Sequence, residues 1–464
     1  MKPIAGIYLL IVFFATACQK DRFITSPDAR ISFSADTLYY DTVFTTTGST
    51  TRFVRIYNNN KEKLRLSSVS LASQAGSPFK INVDGFPGAA TDVEIQPNDS
   101  LYIFVTVTIN PNAENQPFLV RDSLSIRYNG NEQFIQLQAY GQNANFLSNY
   151  TVTGNETWTA DRPYVILNSL TVAENATLTV SKGAKLYFHA DAPMLIDGSL
   201  KVNGEKDDSA KVQFRGDRLD EPYRNYPGAW PGIYFRETSI NNLLEYAVVA
   251  NAYQGVVVDQ PSSNGLAKLT MNETTITNCF DAGLIANRTS INSRNCVISN
   301  SGKNLRITFG GEYNFEHLTN VANSNAYVAH QEPVMDISNV FEDASGIYTS
   351  DLVARFRNSI LWGSDGLIND EITFQKEGSN IFDVSFTDGL WKISTVPSFV
   401  TTSQMIANQD PLFVSIDNDK RIYDYRLKEN SPAISAGMPI GVFTDLDGNP
   451  RKADRPDAGA YEKQ

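Results

Sequence analysis

Beyond residue 22 the chain is written in short alternating runs. ARISFSADTLYYDTVFTTTGSTTRFVRIYNNN, SLYIFVTVTIN and DSLSIRYNGNEQFIQLQAYG place β-branched and aromatic residues at about every second position. That period sends one set of side chains to one face of a strand. Asn58-Asn59-Asn60 and Asn129-Gly130 punctuate the runs as turns. Helical periodicity is almost absent. Several such strands between Phe23 and Gly141 predict an immunoglobulin-like β-sandwich, a common all-β solution at that length, which we bound at residues 23–145.

From about Tyr150 the texture changes. PYVILNSLTVAENATLTVSKGAKLYFHADAPMLIDGSLKVNGEKDDSAKVQFRG is a series of very short apolar runs separated by Gly, Asn or Asp. The runs are too short to cross a wide sheet and the turns too frequent for ordinary hairpins. A coil of parallel strands, each rung lying on the one before, satisfies both facts. A repeat supports it: Val249-Ala250-Asn251, Ile276-Thr277-Asn278, Ile298-Ser299-Asn300, Leu318-Thr319-Asn320 and Ile337-Ser338-Asn339 each place an aliphatic residue two positions before an asparagine. The asparagines are 27, 22, 20 and 19 residues apart, which are rung lengths of a right-handed parallel β-helix. Rungs stack about 4.8 Å apart, so the amides of Asn251, Asn278, Asn300, Asn320 and Asn339 are expected to bond one another as a ladder. Chance in an Asn-rich chain is the competing explanation, and stacking at these five positions decides between them. The same register aligns Ala252-Tyr253 with Cys279-Phe280, and Gly255 with Gly283. It pairs Cys279 with Ser301 and Cys296 with Thr274, two different columns, which weighs against a disulfide without excluding one. The expected fold is all-β, an immunoglobulin-like sandwich followed by a right-handed parallel β-helix over residues 150–462.

The first residues follow another pattern. Lys2, an apolar run from Ile4 to Ala15 and then Thr16-Ala17-Cys18 have the order of a secretory signal, and the run is too short for a permanent membrane span. Small residues directly before a cysteine resemble the lipobox of bacterial lipoproteins, although Ala15 stands where that family usually has Leu. The resemblance implies removal of residues 1–17, lipidation of Cys18 and a short linker over residues 18–22. Gln19 after the cysteine implies delivery to the outer membrane, and Lys20-Asp21 is a weak form of a surface-display signal. The words TTRFVRIYNNNKEKLRLSSVSL, SPFKINVDG, NDSLYIFVTVTINP and AYGQNA resemble the immunoglobulin-like modules behind the anchor in lipoproteins of Bacteroidetes-type bacteria. Such a module would act as a spacer.

The last third carries a further resemblance. RNSILWGS, DPLFV, YRLKENSPAISAG and DLDGNPRKADRPDAGAYE are similar to the closing segment of bacterial extracellular β-helix proteins. That group includes lyases, hydrolases, epimerases, adhesins and scaffolds, so it speaks for architecture and says little of activity.

Charge and chemistry narrow the classes. With 39 Lys and Arg against 51 Asp and Glu, the net charge is −12, which repels phosphate backbones and makes nucleic acid an unexpected partner. The usual words of β-helix hydrolases, Asn-Thr-Asp, Asp-Asp with Gly-His-Gly, and Arg-Ile-Lys, are not assembled here. His189, His317 and His330 have no spacing suited to a metal site or a catalytic triad, and His317 falls at a wall position. Asp207-Asp208 and Asp217 with Asp220-Glu221 lie in turn-rich loops, where solvated charge is the ordinary reading. Asp445, Asp447 and Asn449 have the alternating oxygens of a Ca²⁺ loop but lack its distal Glu. They form either a Ca²⁺ site or a turn closed by Asp side chains. The loop DRLDEPYRNYPGAWPG combines Tyr223, Tyr226 and Trp230 with Arg224, a composition suited to stacking on sugar rings and bonding their hydroxyls. Trp230 could equally plug the core. Three functions stay open: an envelope protein whose coil binds a polysaccharide or a surface protein without catalysis, a polysaccharide lyase or hydrolase, and a structural or adhesive stalk.

Overall fold

The computed structural model describes residues 22–113, 115–364 and 368–464. Among them the protein is all-β, its helical content limited to two short 3₁₀ turns, and it divides into two compact units, Met1–Asn143 and Ala144–Gln464. No helix of the described residues is long and apolar enough to cross a membrane.

In the first unit, two five-stranded sheets share one hydrophobic core. One sheet runs in the order Ile31–Phe33, Arg52–Asn58, Ser100–Val107, Phe79–Val83 and Phe86–Pro87. The other runs Thr37–Phe44, Asn131–Gln142, Phe118–Tyr128, Leu64–Leu71 and Ala90–Ile95. The period of two in the sequence is the reason: Val54 and Ile56, Leu64 and Leu66, and Ile103 and Val105 are buried, while Arg55, Arg65 and Phe104 between them are at least partly exposed. Each fully buried aliphatic side chain contributes about 1.5–3 kcal/mol. All pairings are antiparallel except Asn131–Gln142 with Thr37–Phe44.

The second unit is built on one parallel sheet of 24 strands, consistent with the expected β-helix. Strands stack in three columns through most of its length. The first contains Met194–Ile196, Ile233–Phe235 and Gln254–Asp259. The second contains Ser199–Asn203, Asn242–Glu245 and Leu269–Asn272. The third contains Val212–Gly216, Ala247–Ala250, Thr275–Thr277, Val297–Ser299, Thr319–Ala322 and Ile360–Gly363. A continuous core fills the space they enclose. Within it Phe315, Phe356 and Phe386 stack at 5.1 and 4.8 Å with planes 4° and 7° apart, close to the spacing of hydrogen-bonded strands.

From Asn242–Glu245 onward the corner between the second and third columns is made by one left-handed residue in each rung. Tyr246, Glu273, Asn295, His317, Asn358, Asp388 and Gln404 all have φ between 45° and 54°. An L-residue there costs about 1–2 kcal/mol, less for Asn. Backbone bonds continue through the bend, as in Glu273 N–H to the Arg294 carbonyl and Asn295 N–H to the Glu316 carbonyl.

Beyond residue 410 the chain returns along the third column. The hairpin Phe413–Asp417 with Ile422–Leu427 and the segment to Glu462 cover Val297, Val321, Ile360 and Leu390 on the outside of that column and form a second core with them. Asn358 fastens this return at its corner: its amide donates to the Met438 carbonyl at 2.7 Å and accepts the Met438 N–H at 2.9 Å. Arg451 is buried in the same seam and reaches the Asn295 side chain at 2.7 Å and Glu462 at 3.3 Å.

Candidate functional site

Alternation along the third column turns Val212, Phe214, Val249, Ile276 and Ile298 into the core. It turns Gln213, Arg215, Val248, Ala250, Thr275, Thr277 and Ser299 to the outer flank, where they floor a groove of about 410 Å³. That volume lies within the range of about 300–1,000 Å³ usual for small-ligand clefts. Thr277 and Ser299 hydroxyls bond each other across the rungs at 2.9 Å.

Asparagines at the end of the column hold the first wall. Asn278 donates its amide to Asn251 at 2.8 Å, and the same two side chains reach the loop before Trp230: Asn251 bonds the Arg224 carbonyl at 2.8 Å and Asn278 the Asn225 carbonyl at 2.9 Å. The loop that the sequence singled out is thereby pinned at Arg224, and Asn225 lines the groove. Tyr223 is 43% exposed. Its ring meets Tyr226 edge-on at 5.2 Å, and Tyr226 packs on Tyr327 at 4.8 Å. A second aromatic pair, Tyr253 and Phe280, stacks at 5.5 Å beside Gly228.

The returning hairpin supplies the opposite wall with Lys420, Arg421, Tyr423 and Tyr425. The Tyr425 hydroxyl accepts bonds from Asn300 at 3.0 Å and Asn323 at 3.2 Å, and burial raises its pKa above the ordinary tyrosine value. None of the described residues lining the groove is an Asp or Glu. Three are cations. Lys420 on the rim pairs with Asp417 at 2.9 Å. Arg215 Nη2 donates to the Arg224 carbonyl at 3.2 Å, while its buried Nε has no hydrogen-bond partner among the described residues. Arg421 lies over the Tyr327 ring at 4.6 Å, and its buried Nη1 is likewise without a partner. Burial lowers the pKa of Arg215, with Tyr187 opposing the shift.

Several sequence expectations change at this point. Trp230 is fully buried, stacked on Phe188 at 4.4 Å with its indole N–H on the Ala250 carbonyl at 3.0 Å. It plugs the core and has no face to offer a ligand. The asparagine ladder holds at Asn251 and Asn278, and Asn300 shares their left-handed conformation. Asn320 does not continue it. Its register partners Ile298 and Leu361 belong to the core, so Asn320 is buried among them, with its carbonyl oxygen unbonded. The ladder passes instead to Asn323, whose backbone and side-chain N–H groups both bond Asn300 Oδ1, and then to Ser364. Val321-Ala322-Asn323 carries the same aliphatic-x-Asn word as the repeats, so the signal was present one turn away. Asn339 sits in another column and holds Glu377 by two backbone bonds.

At the Asp445 loop the structure fits the turn reading of the two alternatives. Asp445 is buried, and its oxygens accept the N–H groups of Asp447 at 3.0 Å, Asn449 at 2.7 Å and Glu462 at 2.9 Å. Both oxygens of Asp447 are held by Arg426 at 2.7 and 2.9 Å. The oxygens are committed to protein donors and the segment is a locked turn. Cys279 and Cys296 are free and buried, and Cys279 N–H bonds Ser301 Oγ at 3.2 Å, as the register required. His317 is a buried corner residue on Asn358 at 3.0 Å. His330 pairs with buried Glu371 at 2.9 Å, and His189 with Asp217 at 2.8 Å. Asp208 is solvated beside Lys211. Cys18 lies outside the described residues. Arg215, Arg421, Tyr423 and Tyr425 escaped sequence reasoning, because a fold-back of some two hundred residues brings them together.

No family model and no curated protein matches the chain. Among solved structures, it is similar over 26% of its length to a family 123 glycoside hydrolase of Clostridium perfringens, with 8% identity and a TM-score of 0.19. It is similar over the same share to the Escherichia coli chaperone DraB at 12% identity and TM-score 0.18, and to a chain of the Salmonella enterica SafA pilin–SafB chaperone complex at 10% and 0.18. The matches span 30% of the hydrolase chain and 57% of each of the other two.

Proposed function

We propose that this chain is a lipid-anchored protein of the outer membrane, exposed to the cell surface or the periplasm, that binds glycan without catalysis. In this reading Cys18 carries the lipid, the first unit is an immunoglobulin-like spacer and the second is a right-handed parallel β-helix. The observation that carries it is the groove floor: stacked Asn, Thr and Ser side chains that offer donors and acceptors, an aromatic wall, and no carboxylate among the lining residues. Glycosidases and lyases of this architecture need acids, or acids with a cation, converging on the substrate. A flank of amides and hydroxyls matches sugar hydroxyls and supplies neither.

The test is a glycan array probed with the full chain and with Asn278→Ala and Tyr226→Ala. Glycan signals weakened by both variants are expected; a blank array removes the reading. The anchor is tested separately by palmitate labelling, expected in the wild type and lost in Cys18→Ser. Unlabelled wild-type protein would remove the lipoprotein assignment.

A further inference from the structure

We infer that the glycan taken by this groove is acidic, a sugar bearing a carboxylate or sulfate that sits against Arg215 and Arg421. This rests on the glycan reading and names its substrate class. The argument is one of unbalanced charge. Guanidinium groups stay protonated in proteins, and burying one without a counter-ion is costly. Many arginines elsewhere on the second unit meet a carboxylate, as Arg294 does Glu273, Arg357 Glu316, Arg355 Asp383 and Arg236 Asp197, although Arg288 packs on Phe309 instead and Arg357 also keeps an unbonded Nε. Arg215 and Arg421 form no ion pair among the described residues, and each keeps a buried N–H without an acceptor. They come from distant segments, one from the floor and one from the hairpin, yet line the same cavity.

An anionic oxygen between them would answer both deficits, since charge-assisted bonds to guanidinium are about twice as strong as neutral ones. The neutral part of the sugar would meet Thr277, Ser299, Asn251 and Asn278, which also line the groove. Tyr425 cannot supply the missing charge, because burial keeps its hydroxyl protonated.

The experiment is titration calorimetry of the full chain with a galacturonic acid trimer, a sulfated disaccharide and a neutral galactose trimer. Wild type, Arg421→Gln, Arg215→Gln and Arg355→Gln would be compared, with thermal melts to verify folding. At least one acidic probe is expected to bind, about tenfold or more tighter than the neutral trimer and weakening with added salt. Arg421→Gln, on the hairpin, should lose about tenfold even if Arg215→Gln folds poorly, and Arg355→Gln should lose nothing. The two acidic probes separate carboxylate from sulfate. Equal binding of the neutral trimer, with no effect of Arg421→Gln, would overturn acidity while leaving the glycan reading intact. Failure of all three probes, together with a blank glycan array, would overturn both.

Discussion

Two flanks of the same stack treat charge in opposite ways. On the second column Arg294, Arg355 and Arg357 each meet a carboxylate one rung away, and that flank is a lattice of ion pairs. On the third, Arg215 and Arg421 face a cavity floored by amides and hydroxyls with no acid among its lining residues. Strand spacing is common to both, so backbone geometry does not make the difference. It arises because the second flank sets a carboxylate on the adjacent rung, while the third, partly covered by the returning hairpin, brings Arg215 and Arg421 to a groove with no acid among its described lining residues.

The largest way to break the comparison is to remove what both flanks rest on. Trp230→Ala should cost about 3–5 kcal/mol in urea unfolding, the usual range for a buried aromatic truncated in a core. A loss below about 1 kcal/mol would contradict its place there. Asn278→Ala should cost about 1–3 kcal/mol, since it strands the Asn251 and Asn225 acceptors. Hydrogen exchange should quicken in the loop at residues 223–226, and unchanged exchange would separate the loop from the ladder.

His317 allows a sharper probe with a sign. Burial, reinforced by Arg451, pushes its pKa well below the ordinary histidine value of about 6.5, so the fold holds it neutral. Below about 6.5 the unfolded chain binds a proton that the folded chain refuses. Stability is therefore full above that pH and falls as pH drops through it, by about 1.4 kcal/mol per unit from this group. Replacing it with Asn, the residue at the neighbouring corners 295 and 358, should flatten the loss of stability between about pH 7 and pH 5 relative to wild type. Equal slopes would show that the corner does not exclude the proton. The smallest effect belongs to the open flank: Asp383→Asn should change stability by less than about 1 kcal/mol, as is usual for exposed pairs. Gln213→Glu then converts one flank toward the other. It places an acid two residues from Arg215 on the same face and should weaken acidic probes about tenfold or more with little change in melting temperature.

The strand pattern was legible because a period of two and short rungs are local signals. The same is true of the alignment of Cys279 with Ser301 and of Tyr253 with Phe280, which depends on one step of the repeat. Leu318-Thr319-Asn320 and Val321-Ala322-Asn323 fit the asparagine word equally, and only the fold tells which faces out. Trp230 stayed open between two readings for a related reason, since a loop rich in aromatics does not reveal which ring turns inward. The groove was hidden for a different reason: Arg215 and Arg421 are neighbours through tertiary packing alone, and neither is remarkable in its own stretch.

The returning segment also imposes an order on assembly. A chain made from its N-terminus lays down the rungs while Val297, Val321, Ile360 and Leu390 are still bare. The lid that covers them, and that completes the groove, arrives with the final fifty or so residues. A molecule stalled or clipped before then displays an apolar stripe that proteases and chaperones can recognise. The Arg451 seam, closing on a corner made some 150 residues earlier, is in effect a mark of completion, and the groove is whole only in molecules that bear it.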